Sequence, residues 1–183
     1  MKIKPETLKQ GAALMFGAVA LAAYLTTVLW PSRSQPVQTV SGSDTSGDMV
    51  QVYLLDEDAT LIPYTLGIEE GLDLNQKVAE VLRLMTIGNE PVQGVRGLLP
   101  NNAQLENCAL QGSQLSLYFP ENFRNYDPKT EMRLLEGLTW AVTQFDEVSE
   151  VLLYLAGEPL THMPQLSTPV PMPLNRQIGI NNF

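Results

Sequence analysis

DPKTEMRLLEGLTWAVTQFDEVSEVLLYLA, residues 127–156, sets a helix and a strand one after the other. Asp127 can cap the helix, and Pro128 suits its first position, where a missing N–H costs nothing. Leu134, Leu135, Leu138, Ala141, Val142 and Phe145 recur at helical spacing, so the helix is expected to run to about Phe145 behind a broad apolar stripe. Residues 149–156 follow as a strand apolar on both sides, which places it inside a sheet.

Working back from this unit, the same grammar repeats. Residues 49–55 (MVQVYLL) are β-rich, with Val50, Val52 and Leu54 on one face and Tyr53 and Leu55 on the other. Asp56, Glu57, Asp58 and Ala59 make a polar turn into a second strand, 60–68, whose Pro63 marks it as an edge strand. A helix follows. Asp73 and Gln76 form a capping-box pair, Leu74, Val78, Val81, Leu82 and Met85 share one face, and Gly88 ends it. Residues 89–100 read as an ordered loop that packs down through Val92, Val95, Leu98 and Leu99. A second hairpin, 103–110 and 114–119, flanks a turn at Gln111, Gly112 and Ser113. The order β-β-α-β-β-α-β predicts an α+β fold, a two-layer sandwich with helices packed on one face of a single sheet.

Ahead of this domain stands GAALMFGAVALAAYLTTVLW, residues 11–30, without a charge. As a helix it would span about 30 Å, the hydrocarbon thickness of a bilayer. It exceeds the apolar core of a secretory signal and lacks a small-residue cleavage site, although a cleaved signal and a buried helix stay open as alternatives. Lys2, Lys4 and Lys9 precede it and only Arg33 follows closely, so residues 1–10 are expected to be cytoplasmic and the domain extracytoplasmic, held by a single-pass transmembrane helix. Residues 31–48, rich in Ser, Gly, Pro and Thr, read as a flexible linker. The domain itself is assigned to 49–160, and the Pro-rich residues 161–183 to an extended tail on its surface.

Charge and chemistry narrow the function. Beyond Arg33, seven basic residues face nineteen acidic ones, which argues against nucleic acid as a ligand. Cys108 is the only cysteine and His162 the only histidine, which leaves no partners for a zinc site. A catalytic triad would have to use His162, which sits in the Pro-rich tail of a chain with no G-x-S-x-G nucleophile setting. The Asp56 turn is no calcium loop: Leu61 and Gly67 stand where glycine and glutamate are needed. No glycine-rich phosphate loop follows a strand. The expectation is a protein that is not an enzyme and uses no cofactor. The exposed-aromatic candidates for a binding surface are Tyr118, Phe119, Phe123 and Tyr126, with completion of the core as their competing role.

Taken together, VYLLDEDATLIP (52–63), VAEVLRLM (78–85), GVRGLLP (94–100), LSLYFPENF (115–123), LLEGLTWAVTQF (134–145) and VSEVLLYLAGEPL (148–160) resemble the GerM domain (GerMN) family. The resemblance covers about residues 49–160. It implies a membrane-attached, extracytoplasmic, non-catalytic domain acting in sporulation or germination through protein–protein contact in the cell envelope. The partner would be another envelope protein or a second copy, and the alternative is a cell-wall polysaccharide or peptide ligand. The chain departs from many relatives in having one domain copy and no lipid-attachment cysteine near the apolar run.

Overall fold

A computed structural model describes residues 38–39 and 47–181; the apolar run at 11–30 and most of the linker lie outside the described residues. Strands β2 (Asp48–Leu55) and β3 (Leu61–Ile68) form the first hairpin, turning through Ala59 at φ 58°. The Asp56 carboxylate holds that turn, accepting from the Asp58 N–H at 3.0 Å and the Thr60 N–H at 2.8 Å. Gln38–Thr39, here β1, falls inside the span read as linker yet pairs in parallel with Tyr64 and Thr65. β3 is therefore the middle strand of a three-stranded sheet rather than its edge. Pro63 is tolerated because it lies opposite Tyr53, short of the β1 ladder, where no N–H is required of it.

Helix α1 (Leu74–Leu84) starts as its residues predict. The Asp73 side chain accepts from the Gln76 N–H and the Gln76 side chain from the Asp73 N–H, both at 2.9 Å. Val78, Val81, Leu82 and Met85 are buried. The loop after α1 packs down through Leu98 and Leu99, and Glu90 ties its two ends by accepting from the N–H groups of Gly88 and Gly97 at 2.9 Å each. At Gly97 a Cβ would lie 2.5 Å from the Ile87 backbone nitrogen, so only glycine lets the chains pass.

A second sheet follows in the order β4 (Asn107–Gln111), β5 (Gln114–Phe119), β6 (Glu150–Leu155), β7 (Glu158–Pro159). Residues 103–106, expected within the hairpin, precede the strand. β5 and β6 run parallel, which needs a crossover, and helix α2 (Glu131–Val142) supplies it. Asp127 and Pro128 do start this segment, but as a 3-10 turn over Pro128–Thr130 that leads into the α-helix. α2 is buried on most of its circumference and packs against β2 as well as crossing the second sheet. At Gly137 a Cβ would come 2.4 Å from Leu98 Cδ1 and 3.4 Å from Leu61 Cδ2, so the helix is closely seated.

The expectation of a single sheet is thus corrected to two sheets and two helices around one core. The outer edge of β2 is occupied, so no strand of the second sheet can join it. The Gln51 N–H donates to Gln144 Oε1 at 2.6 Å and the Gln144 amide returns a bond to the Gln51 carbonyl at 2.9 Å. Four residues along, Leu55 exchanges both backbone bonds with Arg96 at 2.8 Å.

The tail is also corrected. Met163, Val170 and Leu174 are buried in the core, and Leu174 exchanges backbone bonds with Val151 at the start of β6. Further on, Asn181 forks onto the backbone of Leu61 with two bonds of 2.9 Å. Alternating proline and apolar residues suit this path, since each proline leaves one fewer N–H to satisfy.

Candidate functional site

The four aromatic candidates fall into two groups. Phe119, Phe123 and Tyr126 are buried, with ring centroids 4.5 Å apart for the first pair and 5.9 Å for the second. They brace the passage from β5 into α2. The Tyr126 hydroxyl donates to Glu131 and accepts from the Gln165 N–H at 3.1 Å, so this cluster also latches the tail. Their rings turn no face to solvent.

Tyr118 stands apart. In β5 the side chains of Leu115, Leu117 and Phe119 enter the core, which sends Ser116 and Tyr118 to the opposite face. β6 alternates in the same phase, burying Val151, Leu153 and Leu155 and sending Leu152 and Tyr154 outward. The parallel register aligns Ser116 with Leu152 and Tyr118 with Tyr154. The two tyrosine rings stack, centroids 4.6 Å apart and planes inclined at 20°. Exposed Asn107 on β4 and Pro159 on β7 flank this row. The result is a sheet face, opposite α2, with a half-buried aromatic pair at its centre. Gln114 and Glu150, bonded at 3.1 Å, close one end of it. Sequence reading named Tyr118 but missed Tyr154. The period-two alternation of β6 marks Tyr154 as outward, but only the register brings it to Tyr118.

Elsewhere several charged groups serve one another or the backbone. A groove of about 460 Å³ between α1 and residues 99–105 is lined by Leu72, Ala79, Leu82 and Leu105. At its rim the Arg83 guanidinium bonds Glu80 at 2.7 Å, which holds the Glu80 carboxyl below the usual range and pushes Arg83 up. Burial would raise the Glu131 carboxyl, but hydrogen bonds from Thr168, Tyr126 and Leu166 outweigh it and hold it low. His162 is exposed beside Thr161, and buried Cys108 lies 3.2 Å from the Asn75 side chain, its thiol pushed up by burial. Among the described residues no three His, Cys, Asp or Glu side chains converge to hold a metal ion. Nor is any described helix long and apolar enough to cross a membrane.

Three comparisons bear on this architecture. A family model, Germane, described as sporulation and spore germination, matches residues 51–161, more than half of the chain. Spore germination protein GerM of Bacillus subtilis (strain 168) is 25% identical over 162 residues. That match covers 85% of this chain and 43% of the relative, so the chain spans less than half of that protein's length. Among solved structures, the tandem GerMN domains of the Bacillus subtilis sporulation protein GerM superpose with a TM-score of 0.67 at 26% identity, covering 73% of this chain and 48% of that one. The first GerMN domain of the same protein gives 0.66 at 24% identity, covering 71% of this chain and 98% of that domain.

Proposed function

The chain belongs to the Germane family of sporulation and spore germination, and from that we propose that it is a non-catalytic interaction module of the cell envelope. Residues 11–30 hold it in the cytoplasmic membrane, with the amino terminus cytoplasmic and the domain outside. It binds another envelope protein through the open face of the second sheet, centred on Tyr118 and Tyr154.

The observation that carries this reading is the stacked tyrosine pair set outward on a rigid sheet. Tyrosine offers a large amphipathic area at small entropic cost, and such residues recur as the energetic centres of protein interfaces. The polar rim of Asn107, Ser116 and Gln114 fits the usual anatomy of such a patch. Absence of a cofactor and of catalysis is part of the same proposal. It is supported by the chemistry of the tyrosine face, where the charged group Glu150 is bonded to the Gln114 amide at 3.1 Å.

A photo-crosslinking residue placed at position 154 in the full-length membrane protein tests this. Crosslinks to one defined protein from position 154, and none from exposed position 93, are the expected result. Transfer instead to purified peptidoglycan would favour the cell-wall reading, in which the same tyrosines stack on sugar or peptide.

A further inference from the structure

The strand edges of this domain are treated unequally. β2 is capped by the Gln144 amide and by Arg96, β3 by β1 and the Asn181 amide, and β6 by β7 and Leu174. Of the terminal strands β1 and β7 are two residues each, and β4, with five, is the longest that has, among the described residues, nothing paired along its outer edge. Its five residues, Asn-Cys-Ala-Leu-Gln, contain no charge and no proline, the usual devices that keep an edge from pairing. Leu110 lies on the core face of the sheet, opposite buried Leu115, yet is 39% exposed because no strand flanks it.

The backbone direction of this edge can be worked out. The hairpin turn has two residues, Gly112 at φ 63° and Ser113, so Gln111 and Gln114 form the hydrogen-bonded closing pair. Alternation then turns Asn107, Ala109 and Gln111 toward β5 and leaves the N–H and C=O of Cys108 and Leu110 pointing outward. We propose that this edge pairs with the β4 strand of a second copy of the chain, antiparallel about Ala109. In that register Cys108 of each copy meets Leu110 of the other, and each such pair exchanges two backbone bonds. Asn107 meets Gln111, two amides. Glu106, the nearest acid, meets Gly112 rather than another acid. For a chain with nineteen acids and seven bases beyond Arg33, this is a stretch where two copies can meet without charge repulsion.

The pair would cover Leu110 and join the two sheets into one of eight strands, placing two tyrosine pairs on a continuous face. A five-residue strand buries less than the roughly 1,200 Å² typical of stable complexes, so the association is weak and depends on concentration. The proposal concerns a different surface from the tyrosine face, and the two are tested by different residues.

Residues 109 and 109 of the paired copies form a non-hydrogen-bonded pair, with Cα atoms about 4.5 Å apart, a spacing a disulfide accepts. The test uses the full-length chain in mild detergent, with Cys108→Ser to remove the native thiol and Ala109→Cys to report the contact. Under mild oxidation the expected result is a disulfide dimer formed about tenfold faster than with Gln93→Cys, a remote exposed control. Adding Leu110→Lys, which places a charge at the edge, should return it to the control rate. Equal rates at positions 109 and 93, or a rate untouched by Leu110→Lys, would overturn the proposal. So would a monomeric chain that crosslinks through position 109 only to a foreign protein.

Discussion

Gln144 does with one side chain what a neighbouring strand would do with its backbone. Its amide presents a donor and an acceptor as a peptide group does, and Gln51 meets both, its N–H donating and its C=O accepting. Removing it would leave a partly buried N–H and C=O without partners, at a cost of about 1–3 kcal/mol. Gln144→Ala should therefore lower the urea unfolding midpoint, while Gln144→Glu, unable to donate, recovers only part of the loss. Glu131 gives a second residue-scale expectation. Its folded carboxyl titrates below the ordinary value of about 4.3. The stability it contributes is present above that ordinary value and is lost as pH falls through the folded one. Glu131→Gln should then flatten the acid limb of a stability-versus-pH curve measured by urea unfolding. An acid limb as steep as the parent's would contradict the role given to the Tyr126, Leu166 and Thr168 bonds.

Elements whose determinants are local were legible in the sequence. The capping box of α1 needs only Asp73 and Gln76, and β2 and β5 follow from alternation. Asp73→Ala should cost about 1 kcal/mol in unfolding experiments, the usual worth of an N-cap. What could not be read was anything that depends on chain returning from far away. Gln144 reaches Gln51 across 93 residues, and Asn181 reaches Leu61 across 120, so the separation into two sheets has no local signal. The tail hid for a related reason. A proline-rich composition describes backbone shape, and extended chain can run through a core as well as over a surface. Of the candidate site, Tyr118 was visible by alternation, whereas Phe119 and Phe123 were grouped with it by type although alternation and packing send them inward.

On the scale of the whole molecule, the open face of the second sheet carries a paired aromatic centre. An apolar run at 11–30 would deliver that face to the membrane's outer surface, where a partner can be met repeatedly and at short range. The proposed β4 pairing would double the face and strengthen weak contacts without new chemistry. The interaction role depends on the face being the place of contact, whereas the β4 pairing stands on its own edge. The direct measurement is partner binding by the full-length Tyr118→Ala/Tyr154→Ala variant in native membranes, alongside its unfolding curve. The expected result is a cooperatively folded protein that no longer crosslinks to its envelope partner. A variant equally well folded that keeps its partner would contradict it.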